Sequence, residues 1–341
     1  MPDAAFTCLS VHDPDWLSFI RRTPQANLFH HPVWINLLAE SYGYQPTVAV
    51  VLGRKGEIRA GLPTLRVKTP FGSVRRVALP FTDHCRPLAV SWEDENLLLT
   101  GLLRESNEPL EVRWKVSPES GLSLSPRFVL SEVPLPADPE VAARRIEKKD
   151  FCNVRAARKA GVMVLMGTWE GLLRDFYGLH TQARQKFGLP VQPAAFFRRL
   201  REGVLEKGHG FILGAYQGAD CLASAVFLHW NTALTYKFAA GTELGRKLHA
   251  MDLILWTAME WGCAHGCDRL DMGRSEIKQH GLREYKARWG AIESDLPYAY
   301  YPAPPGERVP GVLQTFVSRI IRQSPVWVCR SLGNALYRYW G

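Results

Sequence analysis

The sequence predicts an α/β (α+β) fold in which mixed, mostly antiparallel sheets are flanked by helices, with a helical tail at the C-terminus. The 341-residue chain exceeds the roughly 250 to 300 residues at which one hydrophobic core usually stops growing. Its first half shows a helical pattern followed by strand-like runs, and its second half shows three strand-like runs, a helix and a further strand. We therefore expect two domains of mixed composition.

The first half, residues 1–140, begins with a helical pattern at 29–43, where Val33, Leu37 and Leu38 share one face. Runs rich in β-branched residues then predict strands at 47–53, 58–68 and 75–81. Serine and proline become frequent between Pro118 and Pro139, which is typical of a connection. The domain boundary is therefore expected near residue 140.

The second half, residues 141–301, is expected to begin with a helix at 141–161 that carries seven cations. Amphipathic helices are predicted at 171–188 and 194–208, because phenylalanine, leucine and cations recur at helical spacing. An antiparallel meander, a helix and a short strand should follow, at 210–218, 221–230, 233–241, 249–266 and 268–273.

Charge and hydropathy restrict the partners and the location of the protein. The 42 Lys and Arg outnumber the 33 Asp and Glu, so the net charge is +9 and the surface should attract phosphate groups. No secretory signal pattern and no apolar run of about 18 residues is present, so a cytoplasmic protein is expected. Seven scattered cysteines indicate reduced thiols, and Cys263, His265 and Cys267 lack a second ligand pair, so no metal is expected.

Six segments of the chain, taken in their order, carry a family resemblance. They are FHHPVWINLLAESYGY (29–44), ALPFTDHCRPL (78–88), VRAARKAGV (154–162), ARQKFGLPVQPAAFF (183–197), RLDMGRSE (269–276) and GLREYKARWGA (281–291). Together they resemble the FemAB/FemX peptidyltransferases and related GNAT-like acyltransferases, among them BioF2-like proteins associated with PEP-CTERM and exopolysaccharide gene sets. The resemblance implies two tandem GNAT-like domains, at 1–140 and 141–301, with the donor site in the second. It also implies an enzyme that joins an activated acyl or aminoacyl unit to an amine.

The pair Tyr285 and Lys286 matches the aromatic-lysine pair of FemX-type enzymes. The resemblance implies that Lys286 approaches the donor carbonyl and that Tyr285 contacts the substrate. An ammonium at that position would stabilise the oxyanion that develops during acyl transfer. The alternative is an ordinary surface lysine.

The segment RLDMGRSE supplies two further catalytic candidates, Asp271 and Arg274. Asp271 is expected at the end of a strand, and Arg274, Ser275 and Glu276 are expected on the loop that follows it. Arg274 could grip a phosphate or carboxylate, Asp271 or Glu276 could orient the amine or accept its proton, and Ser275 would contact substrate. An internal Asp-Arg salt bridge is the alternative.

Residues for the acceptor are expected on the loop of ALPFTDHCRPL, which faces the acceptor cleft in the family that the chain resembles. They are Asp83, His84 and Arg86, with His84 suited to proton transfer near neutral pH. A hydrogen-bonded structural histidine is the alternative. Tyr236, on the third strand of the meander, is expected to hydrogen-bond the donor.

The expected donor is aminoacyl-tRNA, with acyl-CoA or an acyl carrier as the alternative, and no tightly bound cofactor is expected. The segment where GNAT domains hold the CoA pyrophosphate has one glycine between residues 243 and 249, Gly245, followed by bulky cations. The expected tRNA contacts, for which a solvated face is the alternative, are Arg246, Lys247, Arg155, Arg158 and Lys159. DNA is not an expected partner.

The tail, residues 302–341, is basic and rich in aromatic residues. A short amphipathic helix is predicted at 312–323, with Leu313, Phe316, Val317, Ile320 and Ile321 on one face. Trp327, Tyr337, Tyr339 and Trp340 then permit peripheral contact with the inner membrane, and packing across the two domains is the alternative. The same tail permits a non-catalytic, membrane-associated scaffold for envelope polysaccharide assembly.

Overall fold

The computed structural model describes residues 4–68, 72–306 and 312–339. The strands within these residues form one mixed sheet in the order β1-β2-β3-β4-β6-β13-β7-β12-β11-β10-β9-β8, with β5 beside β3. The strands are β1 (Ala4–Leu9), β2 (Gln45–Gly53), β3 (Ile58–Lys68), β4 (Val74–Val77), β5 (Leu88–Ala89), β6 (Leu110–Val112), β7 (Ser123–Pro134), β8 (Met163–Gly167), β9 (Gly210–Gln217), β10 (Asp220–Trp230), β11 (Ala233–Gly241), β12 (Arg269–Glu276) and β13 (Ile292–Tyr301).

Helices cover this sheet, and short 3₁₀ or π-helical turns connect some of them. The helices are α1 (Pro14–Arg22), α2 (Pro32–Tyr42), α3 (Trp92–Glu105), α4 (Pro139–Ala143), α5 (Lys148–Lys159), α6 (Glu170–Lys186), α7 (Ala194–Leu200), α8 (Glu243–Lys247), α9 (Ala250–Ala264), α10 (His280–Arg288), α11 (Val312–Gln323) and α12 (Val326–Leu336). Most strand pairs are antiparallel, whereas β4 with β6 and β11 with β12 are parallel. The predicted mixed, mostly antiparallel α+β architecture is therefore confirmed.

The segment predicted as a connection between Pro118 and Pro139 contains strand β7, which lies between β12 and β13. Its serine- and proline-rich first half is mostly exposed, but the apolar run from Phe128 to Leu130 is buried. Composition over the whole segment concealed this run, so most of the segment expected as a connection is a strand. The boundary near residue 140 and the division into 1–140, 141–301 and 302–341 stay a prediction.

Several other predicted elements have different bounds. The helix expected at 141–161 is two helices, α4 and α5, and the strand expected at 268–273 continues to Glu276 as β12. Arg274, Ser275 and Glu276 therefore lie on a strand and not on a loop. The pattern did not reveal the half-exposed edge strands β1 and β8, the short β6, strand β13 or helix α3.

The tail packs against both halves of the chain. Cys329 and Ile321 are buried with Val191, and the ring of Tyr337 lies 4.9 Å from that of Phe81 and 6.0 Å from that of Tyr42. The predicted helix at 312–323 is present, but the side chains of Leu313, Phe316 and Val317 lie outside the described residues, as does Trp340. In the part of the chain that the structure describes, no helix combines the length and the apolar character needed to cross a membrane.

Candidate active site

Strands β11 and β12 are neighbours in the sheet but diverge after a short paired stretch. They pair in parallel only over Ala233–Thr235 and Arg269–Asp271. On its other side, β12 shifts register against β7 between Asp271 and Arg274. Gly273, inside this irregularity, has φ +71°, a left-handed conformation that a side chain would strain. A Cβ at Gly273 would also lie 3.1 Å from Oδ2 of Asp83, so the break in β12 brings the first half of the chain close to the strand.

Lys286 extends from α10 to this break in β12. Its side chain is buried, and Nζ donates hydrogen bonds to the carbonyl oxygens of Gly273 at 2.8 Å and Arg274 at 3.2 Å. Burial lowers the pKa of Lys286 to about 8, against the opposing attraction of Asp83 and Asp271. An ammonium has three N–H donors, and two of them are engaged here. In the described part of the chain the third has no acceptor.

His84 and Asp271 form a buried pair across the two halves of the chain. Nε2 of His84 lies 2.8 Å from Oδ2 of Asp271, and Oδ1 of Asp271 accepts from the backbone N–H of Gly273 at 2.7 Å. Burial lowers the pKa of His84, but the carboxylate and its hydrogen bond outweigh burial, so the net pKa is raised. Nδ1 of His84 is buried and has no hydrogen-bond partner among the described residues. When the imidazole ring is neutral and Nε2 carries the proton, Nδ1 of His84 therefore has a free lone pair.

Asp83 and Lys237 form a second ion pair between the halves. Nζ of Lys237 lies 3.1 Å from Oδ2 of Asp83, donates to the carbonyl oxygen of Phe81 at 2.9 Å, and lies 5.3 Å from the ring centroid of Phe29. Burial raises the pKa of Asp83, but the charges of Lys237 and Arg274 outweigh burial and lower it to about 2. Asp83 is therefore ionised throughout the physiological range.

Arg274 joins the same network by its side chain. It donates to Oη of Tyr298 at 2.6 Å, Tyr298 donates to the backbone carbonyl of Asp83, and the guanidinium lies 4.3 Å from the ring centroid of Phe128. Its Nε atom is 3.9 Å from Oδ1 of Asp83. The structure thus brings the predicted residues Asp83, His84, Asp271, Arg274 and Lys286 together.

A cavity of about 1040 Å³ opens on the side of β11 that faces α5, α8 and α9. Tyr236 and Tyr285 both line it, and Oη of Tyr236 donates to Sδ of Met251 at 3.2 Å. Burial raises the pKa of both tyrosines above their usual value, so both hydroxyls remain donors at neutral pH. A cavity of this volume can hold a small-molecule ligand or part of a larger one.

Gly245, which lines the same cavity, is required by packing. A Cβ there would lie 2.3 Å from the carbonyl oxygen of Leu222, and the Gly245 amide already donates to Oγ1 of Thr242 at 2.8 Å. The carboxylates of Glu147, Asp150, Glu243 and Asp252 also line the cavity, beside the cations of Lys149, Lys186, Arg246 and Arg288. Packing therefore explains Gly245, the one glycine in the segment where GNAT domains hold the CoA pyrophosphate.

Other predicted residues lie apart from this cluster. Glu276 pairs with Arg127 at the surface, at 2.8 Å, and Ser275 is buried with no hydrogen-bond partner for its Oγ in the described part of the chain. Arg86 lies in the first half of the chain, where its guanidinium is 4.9 Å from the ring centroid of Trp114, which is itself 5.6 Å from that of His84.

The cations predicted to contact tRNA are exposed at the outer surface. Arg155, Arg158 and Lys159 lie on α5, while Arg246 and Lys247 lie on α8, where both face Glu243 at 3.9 and 3.6 Å. Nη2 of Arg158 is 3.4 Å from a carboxylate oxygen of Glu260. Arg246 lines the large cavity, so α8 connects the cationic surface with that cavity.

Three side chains in or beside the cluster were not among the site residues predicted from the sequence. Lys237 directly follows Tyr236 on β11, and the side chains of adjacent strand residues point to opposite faces, so the choice of Tyr236 left Lys237 out. Tyr298 and Trp114 lie on β13 and just after β6, elements that the pattern did not predict. The only signal for these two residues in the sequence is that they are aromatic. Many residues of the hydrophobic core are aromatic too, so this signal does not distinguish a site residue.

Comparison with known proteins identifies the fold. Residues 144–287 match the family model of the acetyltransferase (GNAT) domain. The whole chain is similar to the crystal structure of FemX, at 13% sequence identity, with 94% of this chain and 100% of that chain covered and a TM-score of 0.70. No curated protein sequence matches the chain.

Two other solved structures show the same similarity at lower scores. L-PGS from Bacillus licheniformis shares 12% identity over 92% of this chain and 98% of that chain, with a TM-score of 0.55. A tandem GNAT protein from the clavulanic acid biosynthesis pathway shares 13% sequence identity over 89% of this chain and 100% of that chain, with a TM-score of 0.52. At these identities the similarity concerns the fold, and the predicted tandem GNAT-like fold is confirmed.

Proposed function

We propose that this enzyme, a FemAB-like acyltransferase of the GNAT type, forms an amide by moving an aminoacyl group from aminoacyl-tRNA to an amine. The observation that carries the proposal is the buried Lys286 ammonium, which is fixed by two backbone carbonyls and retains one free N–H. Such a preorganised donor stabilises charge that develops on a carbonyl oxygen. The His84 and Asp271 pair, joined to the same strand break through Gly273, supplies a base.

In the proposed reaction each of these groups has a role. The acceptor amine attacks the ester carbonyl of the donor, so that a C–N bond forms and the carbonyl oxygen becomes an oxyanion held by Lys286. Nδ1 of His84 takes the proton from the attacking nitrogen, and Asp271 stabilises the imidazolium. The ester C–O bond then breaks, and the departing ribose oxygen takes the proton back. Arg274 and Asp83 position the cluster through Tyr298 and Lys237.

Three features support an aminoacyl ester as the donor. Gly245 serves packing and its amide is already bonded, which leaves a poor cradle for a pyrophosphate. Asp252 in the first turn of α9 lines the cavity and would repel phosphate at the helix N-terminus. Arg246 and Lys247 beside the cavity would contact a polynucleotide backbone.

The second candidate is an acyl-CoA-dependent N-acyltransferase. It is favoured by the match of residues 144–287 to an acetyltransferase domain and by the volume of the cavity beside Gly241 and Thr242. In that case the same Lys286 would stabilise the oxyanion of a thioester. The GNAT-like fold favours an acyltransferase over a non-catalytic scaffold.

One experiment distinguishes aminoacyl-tRNA from acyl-CoA as the donor. The full chain is incubated with a pool of charged tRNA and, separately, with acetyl-CoA and longer acyl-CoAs, in the presence of a mixture of primary amines. We expect charged tRNA to give amine-dependent formation of the aminoacyl amide, and this product should be absent after prior RNase treatment of the tRNA and with Lys286→Met. Consumption of an acyl-CoA with no loss of charged tRNA would support the second candidate and overturn the first.

A further inference from the structure

The loop that leads to His84, residues 79–84, contains two residues with a left-handed backbone. Leu79 has φ +59° and Phe81 has φ +63°, although neither is a glycine. Such conformations are unfavourable for a residue that carries a Cβ, and they persist only where the surrounding contacts impose them. Asp83 and His84 directly follow this part of the loop. The contacts that hold this strained loop therefore also determine where His84 lies.

Hydrogen bonds fix the main chain of the strained loop from two sides. The carbonyl oxygen of Leu79 accepts from Oγ1 of Thr82 at 2.5 Å, and that of Thr82 accepts from Nη1 of Arg113 at 2.8 Å. The carbonyl oxygen of Phe81 accepts from Nζ of Lys237, which lies on β11 in the second half of the chain. These bonds hold the backbone, and none of them orients the ring of Phe81.

Two tyrosines hold the ring of Phe81. Its centroid lies 4.8 Å from that of Tyr42 on α2 and 4.9 Å from that of Tyr337, and both tyrosines are buried. Tyr337 belongs to the short 3₁₀ turn after α12, in the C-terminal tail. A hydrogen bond anchors this turn, because Oη of Tyr44 donates to the carbonyl oxygen of Arg338. The last turn of the described tail therefore packs against the strained loop.

The strained loop ends at the pair of His84 and Asp271. The distance of 2.8 Å between Nε2 and Oδ2 is a full hydrogen bond, which a small shift of the loop would break. Removal of the Tyr337 ring would leave an apolar void beside Phe81. The left-handed residues could then relax toward ordinary backbone conformations, and His84 would move with them. The aromatic contact thus affects the geometry of the catalytic cluster.

We propose that Tyr337 is a positioning residue, whose ring packs on Phe81 and holds the strained loop in the conformation that places His84 against Asp271. The tail therefore completes the active site, although Tyr337 itself does not touch the reacting atoms. The use of the positioned histidine in acyl transfer rests on the proposed function, whereas the control of the His84 and Asp271 pair by Tyr337 does not.

Hydrogen exchange of the full chain, followed by mass spectrometry, tests the effect on the loop without any transfer reaction. The amides of Leu79, Thr82 and Cys85 donate to backbone carbonyl oxygens, so their exchange reports on local opening. We expect Tyr337→Ala to raise these exchange rates roughly tenfold or more, and Tyr337→Phe, which keeps the ring, to leave them nearly unchanged. Tyr216→Ala, which removes a ring from β9 in the second half, is the matched control and should not affect the loop.

The imidazole of His84 gives a second readout, which a tyrosine that only stabilises the fold would not change. Burial lowers the pKa of His84, but Asp271 outweighs burial and holds the pKa above its usual value. Release of the loop into solvent should therefore lower this pKa in Tyr337→Ala, while Tyr337→Phe should keep it, as measured by NMR titration. If Tyr337→Ala does not fold, Tyr337→Leu, which fills more of the space, should show the same changes.

Unchanged exchange of the loop and an unchanged pKa of His84 in Tyr337→Ala would overturn the positioning role. An equal effect of Tyr216→Ala would also overturn it, because the cause would then be a general loss of stability. Where the wild type catalyses transfer, Tyr337→Ala should lower kcat and leave the KM for the donor similar. Failure of the proposed function would appear as absent transfer by the wild type with both loop readouts as expected. Failure of the positioning role would appear as transfer that Tyr337→Ala leaves intact, with both readouts unchanged.

Discussion

Lys286 donates a hydrogen bond to the backbone carbonyl of Gly273, at 2.8 Å, and so ends at the residue whose left-handed conformation interrupts β12. The amide of Gly273 is in turn bonded to Asp271. One irregular residue therefore orients both the cation and the carboxylate of the site. The regular strand on either side could not do this, because its backbone groups are committed to neighbouring strands.

Lys286→Met should lower kcat/KM by about a hundredfold to a thousandfold, the usual cost of removing one oxyanion donor. Methionine fills a similar volume without the charge, so the fold should be retained and circular dichroism should be unchanged. Steady-state kinetics measures the effect, with Lys207→Met, an exposed lysine, as the control. A decrease smaller than fivefold would contradict a role for Lys286 at the donor carbonyl.

The lowered pKa of Lys286 predicts the alkaline limb of the pH profile. The charged form stabilises the oxyanion, and it is present below a pKa of about 8 and absent above it. We therefore expect the single-turnover rate constant, which isolates the chemical step, to fall as the pH rises through about 8. In the Lys286→Met variant this limb should be absent from the residual activity. A wild-type rate that still rises with pH well above this pKa would show that the neutral amine is the active form.

The sequence predicted the order of elements in the second half because β9, β10 and β11 are separated by short turns with strong local signals. It predicted Lys286 and Asp271 through resemblance, since neither residue type is distinctive by itself. It did not predict that β7 lies beside β12 or that Lys237 reaches Asp83, because both depend on interactions between distant segments. It predicts a strand end at Gly273 where the structure has a break within β12, since a glycine in sequence does not distinguish a turn from a bulge.

The Asp83 and Lys237 pair should couple the two halves energetically. Lys237→Met leaves the Asp83 carboxylate without its closest cation, and we expect the free energy of unfolding to fall by about 2 kcal/mol. Asp83→Asn alone should cost a similar amount, because it leaves the buried ammonium unpaired. The double variant should recover part of the sum, and urea unfolding of all four proteins measures the coupling. Additive decreases would show that the pair does not act as a unit.

The tail offers a test of membrane contact. Trp327 and Phe187 are 66% and 65% exposed, and Arg322 donates to the carbonyl oxygen of Phe187 at 3.4 Å. Exposed aromatic residues beside cations favour an anionic lipid surface. We expect cosedimentation with phosphatidylglycerol vesicles and not with phosphatidylcholine vesicles, and severalfold weaker binding in Trp327→Ser combined with Phe187→Ser. Trp92→Ser, at an equally exposed position in the first half, is the control, and equal weakening in both would argue against a specific surface.

The cations of α8 should determine how donor binding depends on salt. Arg246 and Lys247 share one carboxylate, Glu243, at distances typical of weak surface ion pairs, so phosphates of tRNA can displace it. Removing one cation that binds a phosphate lowers the slope of log affinity against log salt by roughly 1. Arg246→Gln combined with Lys247→Gln should therefore weaken the binding of charged tRNA and flatten this slope by about 2. Filter binding between roughly 50 and 300 mM salt, the range over which such interactions are screened, measures the slope.

The matched double variant Arg21→Gln and Arg22→Gln removes the same charge from α1 and should leave the slope unchanged. If both double variants flatten it equally, net charge and not a tRNA surface on α8 explains the binding.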